Sequence, residues 1–140
     1  MRNRIAYYIS VITLVIAFIL LCVVIYWWGY PYKVNNFQQP FKVLTPVVKQ
    51  GGLLQYQVHY CKSMNLGANV TSSFANGIIY VMPTNQSKKP VGCHTIVISV
   101  VVPSELPPST YHIMNVYSYQ VNPIRTIDYV VITGNFKVVK

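Results

Sequence analysis

The 140-residue chain is 53% hydrophobic but only 9% charged, and its 11 Lys and Arg face two acidic residues, Glu105 and Asp128. So few carboxylates exclude most acid–base catalysis, since general acid–base work on paired carboxylates needs two that meet. The positive excess attracts anionic lipid, nucleic acid or acidic polymers, and charge alone does not choose among them.

Ile5 to Trp28 runs for 24 residues without a charge, which at about 1.5 Å per residue crosses a hydrocarbon core of about 30 Å. Residues 1–30 are therefore expected to form an N-terminal transmembrane anchor. The basic head Met1, Arg2, Asn3 and Arg4 is expected to stay in the cytoplasm and the remainder to cross, although Lys33 and Lys42 near the far end leave the flanks almost balanced. The apolar run is too long for a signal-peptide core and no A-x-A-like site follows it, so it is expected to stay uncleaved. Tyr7 and Tyr8 fall near one interface and Tyr26, Trp27, Trp28, Tyr30 and Tyr32 near the other, where amphipathic rings prefer the headgroup level. Ala6, Ser10, Thr13 and Ala17 share one helical face, a place where a second helix can approach closely, which points to a homo-oligomer.

Gly29, Pro31 and the polar run ending at Pro40 stop the helix and predict a linker over 31–40. From there the period changes to two. Residues 41–48 read as an edge strand, because Pro46 cannot donate to a ladder. After the Gly51–Gly52 turn, Leu54, Tyr56, Val58 and Tyr60 alternate with Gln55, Gln57 and His59, one face buried and one wet. Asn76–Gly77 separates two short strands as a hairpin turn. A loop follows with Lys88 and Lys89 at its tip, then the apolar strand from His94, a Pro-rich break, and a long alternating strand over 110–121. Asn122–Pro123 turns the chain into a last strand that Thr133, Gly134 and Asn135 kink.

Seven strands in about 100 residues, with turn signals every eight to fourteen, predict a mainly β domain over 41–140: an antiparallel β-sandwich of immunoglobulin-like type. In that topology the second strand, ending at Cys61, neighbours the fifth, starting at Cys93, so a disulfide closes there without distortion. Such a bridge stabilises by about 3–4 kcal/mol on the chain-entropy model. The alternative is two free core thiols. Cys22 lies in the span. A bridge implies an oxidising compartment, in agreement with a tail outside the cytoplasmic membrane.

Two runs carry a resemblance. Leu106, Pro107, Pro108, Ser109, Thr110 and Tyr111 resemble the Leu-Pro-Pro-Gly-Thr-Tyr lead into the sixth strand of many bacterial and phage immunoglobulin-like domains, with Ser109 in place of Gly. Tyr119 to Thr126 is similar to a turn of small single-pass proteins encoded by tailed bacteriophages. The resemblance implies a phage or bacterial inner-membrane protein with a periplasmic domain. It transfers no catalytic residue, and it places Arg125 at an end of the domain where a partner can reach it.

No enzyme is expected. A Ser-His-Asp set has only Asp128 to use, and Gly51–Gly52 lacks the Lys and helix of a phosphate loop. His112 and Met114 fall on one strand face, and with Cys61, Met64, Cys93 and His94 they offer soft ligands for copper(I), as in membrane-tethered copper chaperones. Against this, Met114 shares its face with Val116 and reads as core, and the cysteines serve better as a bridge. No metal or other cofactor is therefore expected. Interleaved Tyr and Lys can stack bases, yet no nucleic-acid-binding motif accompanies them. The sequence thus predicts a binding or assembly module whose partner is a protein or an anionic envelope component, lipid or polymer, met by Lys88, Lys89 and Arg125. Its rival is a structural subunit of a virion or filament, which the small-residue helix face would serve.

Overall fold

A computed structural model describes the backbone of residues 2–140 and the side chains of residues 4–140; Met1 and the side chains of Arg2 and Asn3 in the basic head lie outside the described residues. The chain divides into two compact units, Met1–Tyr32 with Asn122–Arg125, and Lys33–Val121 with Thr126–Lys140.

The first unit is built on α1 (Arg2–Gly29). Its stretch Arg4–Gly29 is long and apolar enough to cross a membrane, and none of it is buried. On the small-residue face, Ser10 donates to the Ala6 carbonyl at 3.0 Å and Thr13 to the Ile9 carbonyl at 2.9 Å. These bonds satisfy both hydroxyls within the helix and keep the face compatible with apolar surroundings. A helix leaves its last carbonyls without intrahelical donors. Here Asn122 Nδ2 donates to Trp27 O at 3.0 Å, and Arg125 Nη1 donates to Trp28 O at 2.6 Å and Tyr30 O at 2.8 Å. A cation at this position also complements the negative end of the helix dipole.

The second unit contains ten strands: β1 (Asn35–Val43), β2 (Val47–Lys49), β3 (Leu53–Lys62), β4 (Ala68–Ala75), β5 (Ile79–Val81), β6 (Asn85–Ser87), β7 (Gly92–Val101), β8 (Thr110–Asn122), β9 (Arg125–Ile132) and β10 (Phe136–Val139). One sheet has the order β1-β3-β7; the other runs β2-β10-β8-β4-β5, with β6 also on β4 and β9 also on β8. β3 runs antiparallel to β1 and β7, and β8 to β10 and β4, as do β5 and β6 to β4, whereas β2 is parallel to β10, so the second sheet is mixed.

Three differences from the sequence expectation have clear causes. The predicted linker is strand from Asn35 onward, because Phe37 packs on Tyr117 at 4.7 Å and Asn35 bonds the Tyr119 hydroxyl at 3.0 Å, while Asn36, Gln38 and Gln39 face outward. The predicted strand over 41–48 breaks at 44–46: Pro46 has no N–H to offer, and beyond it the chain joins β10 in the other sheet. The last strand divides likewise into β9 and β10, with Thr133 Oγ1 accepting from Ile113 N at 2.8 Å and donating to Gly134 O at 2.9 Å between them. The Asn76–Gly77 turn is where it was expected, with Gly77 at φ +91°, a conformation open to glycine.

Leu54, Tyr56, Val58 and Tyr60 form the buried face of β3. On β8 the buried set is Tyr111, Ile113, Asn115, Tyr117 and Tyr119. Met114 is consequently not core: it lies with His112 and Val116 on the half-exposed face, because the row of tyrosines buries more apolar surface and sets the phase. Cys61 and Cys93 oppose each other in the β3–β7 ladder and are disulfide-bonded, as the order of strands predicts. Tyr111 donates its hydroxyl to Pro107 O at 2.9 Å, and Leu106 beside it is fully buried.

A candidate anion-binding site around the lysine pair

The short strand β6 shares the rim of β4 with β5, holding Asn85, Gln86 and Ser87 against Val70, Asn69 and Ala68. Alternation along a strand sends successive side chains to opposite faces. Gln86 and Lys88 accordingly line one groove, of about 260 Å³, together with Gly67, Asn69 and Ser118. Asn85, Ser87 and Lys89 line another, of about 270 Å³, which reaches inward to Tyr56, Asn115 and Tyr117. The two lysines expected side by side at a loop tip thus serve different spaces: Lys88 is exposed, and Lys89 turns into the domain.

Lys89 has no carboxylate partner. Its ammonium lies 5.1 Å from the Tyr60 ring centroid and 6.0 Å from that of Tyr117, within reach of both π-faces. Nζ has no hydrogen-bond partner and is buried. Desolvation, with Lys62 nearby, lowers its pKa from 10.5 to about 8. Lys62 continues the buried face of β3 and is itself only 3% exposed. It donates to Leu66 O at 2.6 Å and Lys89 O at 2.7 Å, so its capacity is largely used by backbone carbonyls. Burial lowers its pKa too. Both acidic residues of the chain, Glu105 and Asp128, are exposed.

The tyrosines around the lysines stay protonated. Burial pushes Tyr56 up to about 12, partly offset by the Asn115 amide. Burial also raises Tyr117, and the neighbouring Tyr56 and Tyr119 raise it further. Asn115 is 1% exposed; its Oδ1 accepts from Ser72 Oγ at 2.6 Å, while its Nδ2, on the side of the Tyr56 hydroxyl, completes no hydrogen bond. Two buried donors, Lys89 Nζ and Asn115 Nδ2, therefore line the same inner groove without acceptors. Buried donors are normally paired, and an exception calls for an explanation.

The remaining site expectations fall elsewhere. Arg125 is engaged with the carbonyls of Trp28 and Tyr30 and does not join the lysines. His112 and Met114 share a face of β8, but the disulfide takes Cys61 and Cys93 out of any soft-metal set, and His94 Nε2 contacts Val91 O at 3.1 Å. Among the described residues no group of three or more His, Cys, Asp or Glu is gathered as for a metal ion.

Lys62 and Asn115 were not singled out by the sequence expectations, although a signal existed. Each is a polar residue in phase with a buried row, Leu54-Tyr56-Val58-Tyr60 on β3 and Tyr111-Ile113-Tyr117-Tyr119 on β8. A polar residue in a buried phase marks either a structural bond or a site.

No family model matches the chain, and no curated protein is similar to it. Among solved structures, the sporulation control protein Spo0M of Bacillus subtilis is similar at a TM-score of 0.52 and 9% identity over 76% of this chain, which spans 50% of that protein. That likeness concerns the fold alone. A Niemann-Pick type C2 protein from the Japanese carpenter ant gives a TM-score of 0.46 and 9% identity, covering 73% of this chain and 94% of that one.

Proposed function

We propose that the protein is a single-pass membrane protein that presents a basic immunoglobulin-like β-sandwich outside the cytoplasmic membrane and acts as a non-enzymatic binding module for an anionic partner. The observation that carries the binding role is the pair Lys88 and Lys89, divided by β6 between two adjacent grooves with no carboxylate to neutralise either ammonium. The apolar stretch Arg4–Gly29 supports the anchor, and the Cys61–Cys93 disulfide supports an oxidising exterior. The immunoglobulin-like reading rests on the strand order and on Tyr111, whose hydroxyl bonds back to Pro107 as the tyrosine corner of such sandwiches does. A phage or bacterial origin rests on the two sequence runs around Tyr111 and Asn122. The face Ala6, Ser10, Thr13 and Ala17, its hydroxyls bonded within the helix, supports self-association in the membrane.

The test uses the full-length protein in nanodiscs on a phosphocellulose column. Retention at low salt and elution by about 0.5 M salt, where screening shrinks to a few ångströms, is expected, with earlier elution of Lys88→Glu. Passage without retention at low salt overturns the anionic-partner reading. Survival of the tail in spheroplasts treated with an impermeant protease, with cleavage only after lysis, overturns the exterior placement.

A further inference from the structure

The inner groove beside β6 has a mixed lining, in which Ser72, Asn85, Ser87 and Ser99 stand among apolar and aromatic side chains. Lys89 and Asn115 also line it, and their Nζ and Nδ2 are buried and without hydrogen-bond partners. Ile98, Val100, Val70 and the Tyr56 and Tyr117 rings supply the walls. β7 stands at the edge of its sheet, so Ile98 and Val100 remain half-exposed toward this opening.

We infer that this groove binds an organic carboxylate with a small apolar body, Lys89 Nζ forming the charge-assisted bond to one oxygen and Asn115 Nδ2 donating to the carboxylate. The inference deepens the binding-module reading and rests on it. The chemistry of the donors selects the ligand. Two free donors are offered, because Lys62 already gives its hydrogen bonds to the carbonyls of Leu66 and Lys89. A phosphate, with more oxygens than these two donors can bond, would be left partly unpaired in the groove, whereas a carboxylate has one oxygen for the ammonium and one for the amide. A neutral ligand would leave the ammonium desolvated without compensation. The volume of about 270 Å³ corresponds to roughly nine water volumes, room for a single ring or a short branched chain. Bound there, the carboxylate gives acceptors to both orphaned donors, and the apolar body covers Ile98 and Val100.

The experiment is calorimetric titration of the full-length protein in nanodiscs at pH 7 with phenylacetate, 2-phenylethanol and inorganic phosphate. A dissociation constant of about 1 mM or tighter is expected for phenylacetate, as fits a ligand of this size. Binding about tenfold weaker or worse is expected for the alcohol and for the Lys89→Met variant, which lose the charge-assisted bond, and for phosphate, whose further oxygens the groove leaves unbonded. Lys89→Gln, which keeps a neutral N–H donor, is expected to fall between wild type and Lys89→Met. An intact Cys61–Cys93 bridge and a cooperative thermal transition establish that both variants fold. A Gly-Phe dipeptide as free acid and as amide separates two sources of the same group: tighter binding of the acid form than of phenylacetate identifies a chain terminus, weaker binding a free acid. Absence of heat with phenylacetate up to 20 mM, equal binding of the alcohol, or unchanged affinity in Lys89→Met each overturns the inference. Retention on phosphocellulose through Lys88 is independent of these results, so the groove can fail while the surface role stands.

Discussion

The two halves of the buried face of β8 obey different rules. In the first half, Tyr111 and Ile113 sit among satisfied groups: the Tyr111 hydroxyl reaches Pro107 O, and the Ile113 amide reaches Thr133 Oγ1. In the second half, Tyr117 and Tyr119 face Lys62, Lys89 and Asn35, and among the described residues the unpartnered buried side-chain atoms, Asn35 Oδ1, Lys89 Nζ and Asn115 Nδ2, belong to this region. The first half is organised for stability. The second accepts desolvated cations and idle donors, the pattern of a region kept for a ligand.

The contrast can be broken most forcefully from the stable side. Phe136 is 2% exposed and packs edge-on to Phe74 at 6.1 Å and against Tyr111 at 6.4 Å. Phe136→Ala is expected to cost about 3–5 kcal/mol, read as a lower denaturation midpoint in urea with the slope retained. A loss below about 1 kcal/mol would show that this half is not the stabilising one.

A smaller effect is expected at the corner. Tyr111→Phe keeps the ring and removes one hydroxyl, leaving Pro107 O without its 2.9 Å donor. The expected cost is about 1–2 kcal/mol, seen as a lower Tm with native disulfide content. An unchanged Tm would remove the corner from the fold's supports.

Most of this organisation was legible in the sequence, and the rest has identifiable reasons. The apolar helix, the β3 face, the Gly77 turn and the Cys61–Cys93 pairing follow from local pattern and strand order. The start of β1 was hidden because one aromatic, Phe37, outweighs the four Asn and Gln around it. The phase of β8 was ambiguous where both faces carry apolar residues, and packing against β3 and β10 decided it. The site was half-legible: Lys88 and Lys89 stand out by charge and lie in a loop as expected, but β6, which leads into that loop and helps set their opposite directions, is too short to be read from three polar residues. Lys62 comes from β3 in one sheet and Asn115 from β8 in the other, where β8 and β6 both pair with β4, a combination that no local window contains.

The mildest and most specific perturbation is pH. Lys89 titrates near 8 in the folded domain against 10.5 in the open chain, and Lys62 is shifted the same way. The groups facing Lys89 are Lys62, Tyr60 and Tyr117. Below pH 8 both states carry the ammonium, and the cost of burying it is fully present. Between about pH 8 and 10 the folded state releases that proton while the unfolded chain keeps it, so the unfolded state binds more protons and stability rises with pH. Above pH 10 the tyrosines oppose the trend, since Tyr56, held near 12, and the raised Tyr60 and Tyr117 keep protons that unfolded tyrosines lose. Urea midpoints of the Cys22→Ser protein, measured from pH 7 to 11, are therefore expected to peak between 9 and 10. Lys89→Met removes the larger part of the rising limb, lifts stability at pH 7, and leaves the alkaline fall in place. A flat profile from pH 7 to 10 in the unmodified site would mean that Lys89 is solvated and the second half of β8 is as satisfied as the first. Saturating phenylacetate turns the same measurement on the ligand: it stabilises the charged ammonium, so the rising limb should shift to higher pH, and Lys89→Met should show no shift.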